Sequence, residues 1–457
     1  MLSNKSGPSY SSRSLIIRFI LFVLVSLILT IFILMLYNFK YTINTILFII
    51  LVPLMIAPFF FSSDIFHPFN IFFIKSQFLF VFNMIDVNAH NNAFRYGNLH
   101  TSYFENAFFW SVFIIIIWYI FMYLGYTFSK STLTKPIQIK LFRINHLYEV
   151  SIFLIMIGTL SYIYIVYLMG GFIAVFDAMR NRVEAYEGLH FLLKLVALNT
   201  IAAILLLKLG YKKASFIIIT LSFLMQASFG GRSNAFFGTI IPYLIFYHYN
   251  VKRLNIIKLL PLGVLAALFA ISIGNYRIYG TFRVEAGSLY ALFSSLAYGS
   301  GGGEILPSLV GSLLKGHIDY LYGSNLINII YAPIPRSIWP EKPIIEDSGI
   351  VGKALMGDNY WGLPPGPYGL AFFNFGFFGV IIAAFFVGFI IYKLYYKFVL
   401  NHSKKYVGQI FYLLTVTSFF SFFSTRSQID ILWYIGMFVI IKLFDNLLFA
   451  IRRKNQY

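Results

Sequence analysis

The sequence contains no cysteine, which excludes disulfides, thiolate chemistry and cysteine-bound metal. Charged residues are scarce as well, at 11% of 457 residues, whereas 59% of the chain is hydrophobic. A soluble domain of this length needs a much more polar surface than this composition supplies. The scarcity of charge therefore indicates a protein that is embedded in a membrane.

Repeated apolar runs of roughly 18 residues or more predict membrane-spanning helices, because a helix satisfies its own backbone polar groups in lipid. The expected spans cover residues 15–37, 43–61, 71–85, 104–128, 148–169, 191–209, 216–229, 235–249, 259–273, 371–392, 410–423 and 431–450. The first expected span, residues 15–37, follows a short basic N-terminal segment without a small-residue cleavage site, so we expect this span to be retained. The predicted fold class is all-α: a polytopic membrane protein with about 12 transmembrane helices in one integral membrane domain, residues 1–457.

The formal net charge of +19 comes from basic residues whose distribution matches the same helices. Most lysines stand at the ends of alternate spans, as the positive-inside rule requires, which predicts that both termini are cytoplasmic. Scattered cations of this kind do not predict a nucleic-acid partner, which would need them clustered on one face. The same alternation places a large extracytoplasmic loop at residues 274–369.

Arginine departs from this distribution. Eight of the fourteen arginines fall in segments that the topology places outside: Arg95, Arg180, Arg182, Arg232, Arg277, Arg283, Arg336 and Arg426. A guanidinium group pairs two oxygens of a phosphate and stays charged in a partly desolvated site. The outer arginines therefore predict an anionic ligand such as a phosphate or pyrophosphate.

The large loop carries helical periodicity and two unusual motifs. Residues 286–298 and 305–314 read as amphipathic helices that lie on or dip into the outer interface. The run 333–343, Pro-Ile-Pro-Arg-Ser-Ile-Trp-Pro-Glu-Lys-Pro, is stiffened by its prolines and would hold Arg336 on a rigid frame. The run 374–379, Asn-Phe-Gly-Phe-Phe-Gly, leads into a late span, and its glycines permit close backbone approach.

These motifs, together with the Gly-Gly-Arg-Ser turn at Arg232, resemble those of the Wzy-type oligosaccharide repeat-unit polymerases of bacteria. The resemblance implies metal-independent glycosyl transfer at the outer leaflet of the bacterial cytoplasmic (inner) membrane, in a fold similar to the GT-C transferases. It implies undecaprenyl-pyrophosphate-linked glycans and membrane lipid as partners, with a chain-length regulator as a further candidate. It implies no cofactor. By position, Arg180 or Arg182 would match the arginines of an earlier outer loop in that family.

The residues themselves suggest roles in such a reaction. We expect the donor pyrophosphate to be clamped by arginines near headgroup depth, namely Arg232, Arg277, Arg283 and Arg336. His317 is the first candidate for the general base because its ordinary pKa lies near working pH, followed by Glu285 and Asp358. The acceptor phosphates are assigned to Arg180, Arg182 and Arg426, each of which could instead form a structural ion pair or cap.

No metal-ligand spacing stands out, and no Asp-x-Asp pair occurs, which disfavours a metal-dependent transferase that uses nucleotide sugars. Two other functions remain open. An O-antigen ligase performs the same chemistry on a different acceptor. A lipid-linked oligosaccharide flippase or transporter would line a central cavity with charges inside its spans, and the predicted spans carry very few.

Overall fold

The computed structural model describes most of the chain. The described residues are 12–37, 43–62, 64–77, 80–81, 83–84, 104–132, 144–179, 186, 188–280, 305–332, 334, 338–339, 341–357, 362–400, 406–417 and 420–454. At several helix ends, which include Arg232 and Arg277, only the backbone is described.

Within these residues the regular structure is helical and no strand occurs. The helices are α1 (Ser12–Tyr37), α2 (Ile43–Phe61), α3 (Pro68–Phe72), α4 (Phe104–Thr132), α5 (Leu147–Leu168), α6 (Phe172–Asp177), α7 (His190–Val196), α8 (Leu198–Lys208), α9 (Lys212–Ser228), α10 (Arg232–Ala235), α11 (Ile241–Asn250), α12 (Ile256–Tyr279), α13 (Ile305–Leu314), α14 (Ser324–Tyr331), α15 (Asp347–Met356), α16 (Gly366–Tyr395), α17 (Tyr406–Val416) and α18 (Thr425–Lys454). Short π-helices follow α3 (Phe73–Gln77), α10 (Phe236–Ile240) and α16 (Tyr396–Leu400).

Six helical stretches among the described residues are long and apolar enough to cross a membrane. They lie in α4, α5, the pair α7–α8, α12, α16 and α18. The chain is thus a helical membrane protein, and the predicted total of twelve spans stays a prediction. In the span expected at 71–85, the described residues comprise the end of α3, a π-helix that ends at Gln77, and helical residues at 80–81 and 83–84.

The centre of the bundle is the pair α4 and α16, which run parallel. Trp110 contacts Phe377 with ring centroids 5.5 Å apart, and further along both helices Tyr126 contacts Tyr392 at 4.8 Å. Gly388 makes this closeness possible, because a Cβ there would collide with the backbone carbonyl of Met122. Small residues at helix crossings are a common way for membrane helices to approach each other.

Helix α16 reverses direction within its length. Phe375 (φ −141°, ψ 28°) and Gly376 (φ 58°, ψ −145°) leave the helical conformation. The limbs 366–374 and 377–395 then lie side by side, since a Cβ at Gly379 would collide with the carbonyl of Ala371. The sequence motif at 374–379 is therefore the apex of a helical hairpin, instead of a simple lead into a span as predicted.

Helix α13 confirms the predicted helix at 305–314 but differs in its setting. Ile305, Leu306, Leu309 and Val310 have no exposed surface, and Ser308 is buried as well. The helix packs between α4 and α16 and not as a one-faced helix on a surface. The second predicted amphipathic helix, 286–298, lies outside the described residues.

Helices α5 and α18 are antiparallel and define the two ends of the bundle. Phe153 stacks on Phe444 at 3.9 Å, and the Asp445 carboxylate accepts the backbone N–H groups of Asn145 and His146, each at 2.9 Å. Near the other end of α18, Asp430 pairs with Lys194 of α7, and α7 packs through Val196 against Ile165 near the end of α5, so α18 starts where α5 ends. We call this side, which holds Leu168, Thr425 and the α16 apex, the loop end, because the described part of the large loop packs there.

Candidate functional site at the loop end

The apex of α16 is held by a short segment of the large loop. The reversal frees carbonyl groups that a continuous helix would use, and these accept the N–H of Leu321 (to Phe373 O, 2.9 Å) and of Tyr322 (to Asn374 O, 3.1 Å). The buried side chain of Asn374 completes the contact by accepting the N–H of Gly323 at 2.9 Å. Interrupted helices in membrane proteins occur where the backbone is buried in protein or lines a cavity.

A second contact fastens the large loop to the beginning of α18. The buried carboxylate of Asp347 accepts Ser424 Oγ (2.7 Å), Thr425 N (3.2 Å) and Arg426 N (3.4 Å). Asn325 contributes to the same contact: its side-chain Nδ2 donates to Phe423 O at 2.8 Å, and its backbone carbonyl accepts the hydroxyl of Thr425 at 2.9 Å. Asp347 thus caps a helix that starts far away in sequence.

Burial raises the pKa of Asp347, while the hydrogen bonds from Ser424 and from the backbone at Thr425 and Arg426 oppose that rise. We call Asn325, Asp347 and Ser424–Arg426 the loop anchor. It fixes α14 and α15 of the large loop against the start of α18.

Cations gather around the turn that precedes α18. Lys75, on the π-helix after α3, donates to the carbonyl of Thr417 at the end of α17. Lys194 of α7 pairs with Asp430 of α18 at 2.9 Å, and Arg426 pairs with Glu346 at 2.8 Å on the exposed surface. The part of the chain that the structure describes gives Lys75 no ion pair, although Asp430 and Arg426 lie near enough to act on its charge.

The interruption between α17 and α18 lies beside the α16 apex. The rings of Phe375 and Phe423 are 5.6 Å apart, and Phe420 contacts Phe72 of α3 at 4.5 Å. Phe72 in turn contacts Tyr119, well inside α4. The α16 apex, the segment that joins α17 to α18 and the partly buried Lys75 therefore meet between the loop end and the interior of the bundle.

Three sequence-distant segments that carry predicted arginines also meet. A Cβ at Gly230 would lie 3.2 Å from Met179 Cγ, and Tyr276 Oη donates to Asp177 Oδ1 at 3.4 Å. Ala235 and Ile273 share a small buried cluster. We call the backbone at 177–179, 230–232 and 276–277 the arginine junction, because Arg180 follows Met179 in sequence and the junction itself contains Arg232 and Arg277.

Helix α7 connects the arginine junction to the cations around the turn that precedes α18. Its Val196 packs with Val175 and Phe229 of the junction side, while its Lys194 reaches Asp430. Phe191 of the same helix contacts Trp433 at 5.3 Å. The arginine junction and the turn that precedes α18 therefore belong to neighbouring parts of one end of the molecule.

The other predicted site residues are distributed as follows. His317 is exposed and stands directly after α13, whose C-terminus is closed by Gly316 (φ 69°) and the bond from His317 N to Ser312 O (2.9 Å). Arg426 is the second residue of α18. Several predicted residues lie outside the described part of the chain, namely Arg180, Arg182, Arg283, Glu285, Arg336 and Asp358.

A lysine near the end of the proline-rich run 333–343 forms hydrogen bonds to the backbone at and just before the start of the run. Lys342 is buried, and its amine donates to Ala332 O at 3.1 Å and to Ile334 O at 2.6 Å. Trp339 contacts Tyr331 of α14 with ring centroids 5.4 Å apart. Lys342 thus ties the end of this run to the C-terminal end of α14.

Sequence reasoning did not assign a site role to Lys75, Lys194, Asp347 or Asp430. A signal existed for Lys75, because it is a cation inside an otherwise apolar run, and intramembrane cations are usually functional. No local signal exists for Asp347, whose partners on the α18 side are about 80 residues away. Comparison with protein-family models, with curated proteins and with solved structures gives no match for this chain.

Proposed function

We propose that this protein is a polymerase of undecaprenyl-pyrophosphate-linked oligosaccharide repeat units, of the O-antigen or capsule type. Its loop end faces outward from the bacterial inner membrane. The supporting observation is the arginine junction, where segments distant in sequence bring the positions of Arg232 and Arg277 together and reach the residue before Arg180. Arginine at several neighbouring backbone positions suits a pyrophosphate ligand, whose charge one arginine alone would not neutralise.

In the proposed reaction a sugar hydroxyl of the acceptor attacks the anomeric carbon of the donor glycan. The bond from that carbon to the pyrophosphate oxygen breaks, and undecaprenyl pyrophosphate leaves. The hydroxyl proton passes to a general base, for which His317, Glu285 and Asp358 remain the candidates. Arg232, Arg277, Arg283 and Arg336 stabilise the charge that develops on the leaving group, and no metal or cofactor takes part.

The interruption of α16 supports the same proposal. Membrane transporters place polar substrates beside discontinuous helices, whose ends and free backbone groups bind them. Lys75 is a partly buried cation between the segment that joins α17 to α18 and the interior of the bundle. We therefore add Lys75 to the residues that attract the phosphates. The nearby Lys194 and Arg426 each form an ion pair, with Asp430 and Glu346 respectively.

The decisive experiment is complementation of a deletion strain, followed by a gel of surface glycan. Polymer restored by the wild-type chain supports the proposal. Loss of a polymerase leaves single repeats on the final acceptor, whereas loss of a flippase or a ligase leaves none. A deletion strain without single repeats would therefore favour one of those alternatives.

Arg277→Ala and Arg283→Ala are each expected to abolish polymer while the protein is still made, since each removes a phosphate contact worth roughly 3–4 kcal/mol in a desolvated site. Arg453→Ala is the matched control, because Arg453 is exposed near the opposite end of α18. Normal polymer from the Arg277/Arg283 double variant would contradict the clamp. Equal loss from Arg453→Ala would show a general effect of lost positive charge.

A further inference from the structure

Tyr322 has an unusual backbone conformation. Its φ is +47°, and no other residue apart from glycine has a positive φ in the part of the chain that is described. The left-handed region is unfavourable for a residue with a Cβ, and a large side chain there marks strain that the surroundings must hold in place. Here the holding contacts are the hydrogen bonds of Tyr322 N to Asn374 O and of Gly323 N to Asn374 Oδ1.

The strain is not compensated by burial of the ring. The Tyr322 side chain is 70% exposed, whereas that of Leu321 is partly buried. The ring stands over the α16 apex, 6.2 Å from Phe375 and 6.0 Å from Tyr320 between centroids, and Phe375 is itself 39% exposed. The fold therefore maintains a costly conformation whose visible result is an aromatic face presented outward.

The chemistry around this face points to a sugar and not to a lipid tail. Lys315, His317 and Asp319 precede it within a few residues and are exposed, so the segment borders water. A tyrosine in such a place offers an apolar ring and a hydroxyl, which match the C–H face and the hydroxyl groups of a pyranose. Its position beside the α16 apex also puts it next to the segment that joins α17 to α18 in the proposed site.

We propose that Tyr322 is a glycan-binding residue on which one sugar ring of the lipid-linked oligosaccharide stacks. This deepens the proposed function and rests on it for the identity of the glycan. The strained conformation fixes the direction of the ring before the glycan arrives, so that little side-chain freedom is lost on binding.

Substitution at this position separates binding from folding. Tyr322→Gly removes the ring and relieves the strain, so the variant is expected to unfold at the same temperature as the wild type or higher. The same variant is expected to bind the soluble repeat-unit oligosaccharide about tenfold more weakly, because the stacking contact is gone. Tyr322→Phe keeps both ring and strain and is expected to bind within about twofold of the wild type.

The probe is the oligosaccharide released from the surface polymer by hydrolysis, and binding to purified full-length protein in nanodiscs is followed by saturation-transfer NMR. Tyr167→Ala is the control, since Tyr167 is 76% exposed at the end of α5. Unchanged binding by Tyr322→Gly, or a lowered unfolding temperature that Tyr167→Ala shares, would overturn the proposal in favour of a structural or interfacial tyrosine.

The two proposals fail separately. Polymer from the wild type and from Tyr322→Gly in equal amount, with equal binding, leaves the polymerase and removes the stacking role. Binding that depends on Tyr322, in a protein that restores no polymer, leaves a glycan-binding site and removes the polymerase. Absence of oligosaccharide binding by the wild type overturns the stacking role directly.

Discussion

Single residues of the motif at 374–379 have separate structural tasks. Asn374 fastens the large loop through its side chain, which also donates to Leu370 O at 2.9 Å. Gly376 adopts a positive φ at the reversal, and Gly379 leaves room for the carbonyl of Ala371. The sequence indicated close backbone approach here, and that was confirmed. The approach is between two limbs of one helix, which the local sequence does not specify.

At the residue scale, Asp347 gives a direct test of the loop anchor. Asp347→Ala leaves Ser424 Oγ and the backbone N–H of Thr425 without their acceptor, at a cost of roughly 1–3 kcal/mol. Asp347→Asn keeps one carbonyl oxygen and is expected to lose less. The measurement is the unfolding midpoint in detergent, followed by intrinsic tryptophan fluorescence. An alanine variant as stable as the asparagine variant would contradict this role.

A comparison of the wild type with Asp347→Asn tests the direction of the pKa shift of Asp347. Because burial raises the pKa of Asp347, its protonated form is favoured in the folded state. The contribution of protonated Asp347 to the stability of the fold is fully present below the ordinary aspartate pKa, about 3.9. It is lost as the pH rises through the raised pKa. The stability of the wild type relative to Asp347→Asn is therefore expected to fall as pH rises above about 4. A difference that grows with pH would contradict it.

At the scale of elements, two segments that the sequence presents as plain spans are not continuous helices. The predicted span 371–392 covers the end of the first limb and most of the second limb of α16, and the predicted span 410–423 begins inside the eleven-residue helix Tyr406–Val416 and runs past its end. The α16 apex and the segment after α17 meet through Phe375 and Phe423. Apolar composition identifies both segments as buried, but it does not show where a helix stops inside an apolar run.

The close crossing of α4 and α16 at Gly388 leads to a prediction at the scale of elements. Gly388→Ala forces a Cβ onto the backbone of Met122 and is expected to destabilise the protein by roughly 1–3 kcal/mol, because neither backbone can move alone. Gly436→Ala in α18 is the matched control, since a Cβ there meets no atom within 4 Å. The control is expected to be neutral or stabilising by up to about 1 kcal/mol. Unfolding midpoints that agree for both variants would contradict the close crossing.

For the whole molecule, Asp64 joins helices that are far apart in sequence. Its carboxylate accepts the hydroxyl groups of Tyr249 at the end of α11 and Tyr395 at the end of α16, and the N–H of Phe66 at 3.0 Å. His248 Nε2 lies 3.8 Å from the same carboxylate. His67, three residues further, bonds Tyr126 of α4 at 2.9 Å. The turn between α2 and α3 is thereby tied to three other helices.

Asp64→Ala is expected to lower the stability of the whole bundle by roughly 2–4 kcal/mol, because two tyrosine hydroxyl groups lose their shared acceptor. The readout is the unfolding midpoint of the full chain in detergent. Asp319→Ala serves as the control, as Asp319 is exposed on the large loop. Equal midpoints for the two variants would show that Asp64 does not join these helices.

The sequence by itself determined the helical membrane class and the positions of the long apolar helices, because hydrophobicity and helical period are local properties of the chain. It also singled out the motif that became the α16 apex. Only the tertiary structure decided that α13 is buried, that α16 folds back on itself, and that Asp347 caps α18. Each of these depends on residues far apart in sequence, such as Asn325, Asp347 and Thr425, whose pairing leaves no periodic trace in the chain.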